Sequence, residues 1–201
     1  MDSDNVYKIP NTFHNDYIKT FLNQFGIISN IDNDFITIKV SSIETLNKKS
    51  DDSLINKFIY DIGCQILLLK KNNLAIKYFN LEDIVIINSN IFLFINPNMI
   101  YELLEKKIVK ENLPSHKYGV FSLESIDFNS KFIPIEIINS KKNPNSTKKY
   151  YYYTTSFYSL AKLLLYYFNI DDIEDIKFTS LYFFCKRCLV DNPLERNLLF
   201  I

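Results

Sequence analysis

Apolar residues at 55, 58, 59, 62, 66 and 69 recur at helical spacing from Ile55 to Leu69, with Asp51 or Ser53 available as a cap. No other stretch in the first half of the chain limits its folding as strongly. The apolar segments that follow are of another kind. Asp83-Ile84-Val85-Ile86-Ile87 and Ile91-Phe92-Leu93-Phe94-Ile95 are β-rich and are joined by the turn-forming Asn88-Ser89-Asn90. Upstream, Tyr17 to Phe25 reads as a short helix stopped by Gly26. Ile27 to Ile31 and Phe35 to Val40 read as a hairpin around Asp32-Asn33-Asp34. The polar stretch Asn47 to Asp52 then precedes the long helix. Helix, hairpin and then mostly helix is the order these patterns predict.

A chain of 201 residues, 47% hydrophobic and 15% aromatic, can bury one substantial core. Its 23 basic and 23 acidic residues cancel, so no global field draws nucleic acid or an acidic membrane. No run approaches the ~20 apolar residues of a membrane span. The opening Met1-Asp2-Ser3-Asp4-Asn5 is acidic and polar, unlike a secretory leader. Three cysteines do not describe a disulfide framework and fit a reducing compartment. These features predict an intracellular, cytoplasmic protein. Two of the 23 basic residues are arginine, and Asn, Ile, Lys and Tyr are abundant, the bias that AT-rich coding imposes.

In the last third, Ser156-Phe157-Tyr158-Ser159-Leu160-Ala161 opens an aliphatic run, and Cys188-Leu189-Val190-Asp191-Asn192-Pro193-Leu194-Glu195-Arg196 follows. The pair resembles the C-terminal lobe of a protein kinase. The first segment resembles the buried helix whose family pattern is D-x-W-S-x-G. The second resembles the family's D/N-P-x-x-R segment. The resemblance spans about residues 27 to 201. It implies an α+β, mainly helical fold: a kinase-like C-lobe over residues 51–201, with residues 1–50 a vestigial N-terminal β-hairpin and hinge in place of a full N-lobe, all in one domain.

Carried residue by residue, the resemblance implies lost chemistry. Tyr78-Phe79-Asn80-Leu81 falls at the family's H-R-D-L loop, so Asn80 replaces the catalytic aspartate, and an amide has neither its charge nor its basicity. Asp83 sits where the metal-binding asparagine would be. Ile95-Asn96-Pro97-Asn98 occupies the place of D-F-G, so Asn96 replaces the aspartate that holds magnesium. Ser156 stands in for the aspartate that anchors the catalytic loop's backbone. Phe132-Ile133-Pro134-Ile135-Glu136 resembles the A-P-E region, whose Glu pairs in a buried ion pair with the Arg of the D/N-P-x-x-R segment; here these are Glu136 and Arg196. The chain runs five residues past Arg196, so most of the family's last helix is expected to be absent.

The nucleotide-covering part is thinner still. Lys39 in Ile36-Thr37-Ile38-Lys39-Val40 is a weak candidate for the phosphate-pairing lysine, but no glycine-rich loop precedes it, the chain holding only Gly26, Gly63 and Gly119. A better alignment takes Ile27 to Ile31 and Phe35 to Val40 as the family's fourth and fifth strands, with Ser42 to Lys49 as hinge and a short helix. No cofactor is then expected.

Other features have plain readings. Cys185-Lys186-Arg187-Cys188 is a lone C-x-x-C on a helix, and Cys64, His14 and His116 show no ligand spacing around it, so two buried thiols are expected and no metal site. Lys141-Lys142, Lys148-Lys149 and Tyr150 to Tyr153 mix basic and stacking groups as single-strand binders do, but read as a loop into the next helix. Asp171-Asp172-Ile173-Glu174-Asp175 reads as the acidic start of a short helix. The expected role is a catalytically inactive module that holds a protein partner. A divergent Ser/Thr-type kinase binding ATP and magnesium through Lys39, Asp83 and Asn96, or a small nucleic-acid binder, are the alternatives.

Overall fold

Alternation of outward and inward side chains makes Asn5–Pro10 a strand, with Val6 and Lys8 exposed and Ile9 buried. The computed structural model describes residues 5–12, 14–46, 52–105, 117–142 and 151–198. In chain order the elements are β1 (Asn5–Pro10), α1 (Asp16–Asn23), β2 (Ile28–Ile31), β3 (Phe35–Val40), β4 (Ile43–Thr45), α2 (Ile55–Lys71), β5 (Leu74–Ile76), β6 (Ile84–Ile87), β7 (Ile91–Phe94), β8 (Ile100–Glu102), β9 (Leu104–Glu105), β10 (Lys117–Gly119), α3 (Ile135–Lys142), β11 (Tyr151–Tyr152), α4 (Thr155–Tyr167) and α5 (Ser180–Cys188). The sheets are small and antiparallel, ordered β1-β3-β2, β4-β6-β7, β5-β8 and β11-β10-β9.

The expectation of a mainly helical C-lobe behind a vestigial hairpin is corrected by this architecture. Of the described residues 44% are helical and 23% lie in strands, too much sheet for that description. Two non-local pairings account for much of the difference. The β2–β3 hairpin gains β1 as a third strand, whose partner lies 30 residues on in sequence. Ile43–Thr45, expected within a hinge and helix, is β4 and pairs with β6; residues 47–49 of that expectation fall outside the described residues. Short strands whose partners are remote carry little local periodicity, so they are hard to read from a window of sequence.

One apolar cluster binds the elements together, running from Ile9, Phe21 and Ile38 through Phe58 and Ile62 of α2 to Leu160 of α4 and Phe184 of α5. Residues on either side of position 50 thus share one core. Fully burying side chains of this size is worth roughly 1.5–3 kcal/mol each. A second cluster gathers Tyr78, Tyr101, Ile126, Ile133, Ile137 and Tyr151.

Strand β7 ends the central sheet, and its free edge is closed by side chains. Asp61 Oδ2 accepts from the Phe92 amide at 3.0 Å, Gln65 donates to the Phe92 carbonyl at 2.8 Å and accepts from the Phe94 amide at 2.9 Å. The Tyr17 hydroxyl donates to the Phe94 carbonyl at 2.9 Å. An open edge invites pairing with another chain, and α1 and α2 remove it here by supplying the missing donors and acceptors. Asp61 and Gln65 lie four apart on α2, on the face turned to the sheet.

Candidate functional site

The β6–β7 hairpin turns at Asn88 and Ser89, both in the left-handed region at φ 49° and 59°. Its two open ends carry the residues that sequence reasoning singled out: Asp83 precedes β6 and Asn96 follows β7. Pairing of Ile84 with Phe94 sets Asp83 opposite Ile95, whose amide donates to the Asp83 carbonyl at 2.9 Å, and so one residue from Asn96. Asn96 Nδ2 donates to Asp83 Oδ1 at 2.6 Å, and the backbone N–H of Asn80 donates to Asp83 Oδ2 at 2.8 Å. The Asn96 oxygen accepts from the Asn98 amide, capping the 97–99 turn. Asn80, Asp83 and Asn96 are thus brought into one node. Asp83 is 2% exposed, and burial raises its pKa against the lowering effect of the bonds from Asn96 and Asn80, with Glu82 adding to the rise. Burial foremost, then the Asp83 carboxylate, pushes the Tyr17 phenol far above its ordinary value.

A strap over residues 122–131 is fastened to this node. Ser130 donates to Asn80 Oδ1 at 2.6 Å, the Asp127 amide donates to the Tyr78 hydroxyl at 3.1 Å, and Lys77 Nζ donates to Ser125 Oγ at 3.2 Å and to the Asn98 carbonyl at 2.9 Å. Lys77 is 7% exposed, and desolvation lowers its pKa. Ile126 of the strap plugs into the second apolar cluster. Asn80 thus spends its side-chain oxygen on the strap and its amide on Asp83.

Glu136 and Arg196 meet. Glu136 stands in the first turn of α3, just after Pro134, and Arg196 follows the Pro193–Glu195 turn. The guanidinium donates from Nη1 to Glu136 Oε1 at 2.7 Å and from Nη2 to Oε2 at 3.0 Å, the forked geometry of a bidentate pair. Its Nε donates to the Val190 carbonyl at 2.7 Å and Nη2 also to the Asp191 carbonyl at 3.1 Å. The Tyr158 ring lies 5.0 Å from the guanidinium carbon. The arginine side chain is fully enclosed, that of Glu136 16% exposed.

The remaining candidates lie elsewhere. Lys39 is exposed on the outer face of β3, opposite the buried Ile36, Ile38 and Val40. Cys185 and Cys188 sit one turn apart in the main core; burial raises both thiols, Cys188 to about 12, which keeps them protonated. His14 lies in the turn before α1, and His116 falls outside the described residues. So do Lys148 to Tyr150; Tyr151 is buried and stacked on Phe121 at 4.2 Å, and Lys141 covers the Phe128 ring. Asp172 caps the short 173–176 turn.

Ser156, read from the sequence as replacing the family's loop-anchoring aspartate and so loosening the centre, donates locally to the Tyr153 carbonyl. Ser159, one turn along α4, grips the loop: its Oγ accepts from the Phe79 amide at 2.7 Å. The i, i+3 spacing was the available signal, since both serines share the buried face. Lys77, Ser130, Asp61 and Gln65 were not singled out, because their partners across the fold lie 21 to 50 residues away. No helix among the described residues is long and apolar enough to cross a membrane. No family model matches the chain, and no curated protein matches it either.

Proposed function

We propose that the chain is a catalytically inactive relative of the protein kinases, an intracellular module that works by holding a protein partner. The observation that carries this reading is the closed node: Asp83 accepts at one oxygen from the neutral Asn96 amide and at the other from the Asn80 backbone, where two carboxylates would be needed for phosphoryl transfer. Asn80 has no proton-accepting basicity, and the strap occupies its oxygen. The enclosed Glu136–Arg196 pair supports retention of scaffold without retention of chemistry. The residues do not fit ATP with magnesium: Lys39 faces outward on β3, and Asn96 brings no charge to a cation.

Two measurements test it. ATP with magnesium should leave the melting temperature unchanged, whereas binding at a hundred times Kd would stabilise by about 2.7 kcal/mol. The purified chain should transfer no phosphate to itself or to generic substrates. A melting rise together with phosphorylation abolished by Asn96→Ala would overturn the inactive reading in favour of the divergent kinase.

A further inference from the structure

Lys77 carries an enclosed positive charge that no negative charge answers. Its Nζ donates to the Asn98 carbonyl at 2.9 Å and to Ser125 Oγ at 3.2 Å, and the centre of the Phe121 ring lies 5.5 Å away. All three partners are neutral, and among the described residues no carboxylate forms an ion pair with this lysine. Buried charges are ordinarily paired, because an ion taken out of water without a counter-charge is costly. Desolvation lowers the pKa of Lys77 with no carboxylate to oppose it.

Ser125 is the partner that is able to acquire a negative charge. It is an exposed residue at the end of the 123–125 turn, so its hydroxyl joins the buried ammonium to the surface. The turn itself is fixed: Ser122 Oγ accepts from the Glu124 amide at 3.2 Å, and Ser125 Oγ donates to the Ser122 carbonyl at 3.1 Å. Glu124 and Asp127 flank Ser125 and oppose a further negative charge, but both are exposed. Water and salt screen their repulsion far more than they screen the contact with Lys77.

We propose that Ser125 is a phosphorylation site and that Lys77 is the counter-charge that receives the phosphate, fastening the strap to the segment that carries Asn80. The modifying enzyme is a separate Ser/Thr protein kinase with ATP, so the inference does not depend on whether this chain transfers phosphate. The bond from Ser125 Oγ to the γ-phosphorus forms, the bond from that phosphorus to the bridging oxygen breaks, ADP leaves, and the hydroxyl proton passes to the base of that kinase. The ester oxygen no longer donates to the Ser122 carbonyl, which belongs to an exposed residue and takes a water instead. In exchange the phosphate brings about 1.5 to 2 negative charges within reach of an ammonium that already touches Oγ.

The full chain with phosphoserine inserted at position 125 during translation tests the contact. Its melting temperature should exceed that of the unmodified chain by about 2 °C or more. Phosphorus NMR should find the second ionisation of the phosphate well below its ordinary value of about 6, and amide exchange at Ile126 and Asp127 should slow. Lys77→Met should abolish the rise and return the phosphate to its ordinary ionisation. Phosphoserine in place of Ser122, on the same turn but not a partner of Lys77, should show neither effect and serves as the comparison should Lys77→Met fail to fold. A phosphate at position 125 that titrates ordinarily, or that lowers the melting temperature, overturns the pairing. Mass spectrometry of the chain isolated from the cells that make it should find the Ser125 peptide phosphorylated. That peptide recovered in unmodified form alone overturns the modification, whatever the contact does.

Discussion

The Asp83 node and the Glu136–Arg196 clamp each enclose a carboxylate, but they neutralise it in different ways. At the clamp a guanidinium meets the charge with charge, and carbonyls of Val190 and Asp191 take two further N–H groups. At the node the partners are an amide side chain and a backbone N–H, both neutral. A carboxylate held by neutral donors can discard its charge by taking up a proton, and the upward shift of Asp83 is the sign of that tendency. At the clamp the partner is a fixed charge, because an arginine does not give up its proton.

The largest expected effect follows at the clamp. Glu136→Ala or Arg196→Ala should destabilise by about 3–5 kcal/mol, since either leaves a charge enclosed without its partner. The double variant should cost less than the sum of the two, because neither charge is then stranded. Urea unfolding of the three variants measures this. Additive losses under about 1 kcal/mol, the range of exposed pairs, would make the clamp a surface contact in energetic terms.

Asp83→Ala should cost less, about 1–3 kcal/mol, the penalty of leaving the Asn80 amide and the Asn96 side chain without an acceptor. Asp83→Asn, which keeps one acceptor, should fall below it in the same urea series. Equal losses in the two variants would show that cavity and strain, and not unpaired donors, set the cost.

The third effect is a slope in pH. Burial raises the folded pKa of Asp83 above its unfolded value of about 3.9, so the folded state holds the proton longer than the unfolded chain does. The contribution is fully present below the unfolded pKa and is lost as pH rises through the folded one. Asp61 is raised by burial too, against the pull of Lys57, and adds a slope of the same sign. The stability difference between the wild type and Asp83→Asn should therefore shrink as pH rises from 4 to 7 in melting or urea measurements. A difference that stays constant or grows would place the folded pKa at or below the unfolded one.

What could be read in advance divides along the same line. Glu136 and Arg196 stand 60 residues apart, yet each lies in a short segment that resembles a kinase motif, and it was that resemblance, not any periodicity, that implied their meeting. Ile55–Lys71 and the two hairpins were legible because their apolar patterns are local. The three positions of the node were legible as residues, but the node itself was not: its closure depends on Ser130 and on Ser159 of α4, 50 and 80 residues from their partners at Asn80 and Phe79. β1 and β4 were missed for the related reason that each is defined by a strand it does not adjoin in sequence. Helical content was overestimated because helices announce themselves locally, whereas short strands become visible only once their partners are known.

The smallest expected effect concerns the lysine that belongs to neither region. Lys39 points outward from β3 while its neighbours Ile38 and Val40 enter the core, and the pairing of β1 with β3 sets which face each occupies. Lys39→Ala should therefore change stability by no more than about 0.5 kcal/mol, as exposed sites do. It should also leave the melting temperature in ATP and magnesium where it was. A nucleotide-dependent rise in the wild type that vanishes in Lys39→Ala would reverse the contrast between node and clamp. It would mean that the node opens to a nucleotide from the side of the three-stranded sheet, with the neutral partners of Asp83 serving as a latch and not as a seal.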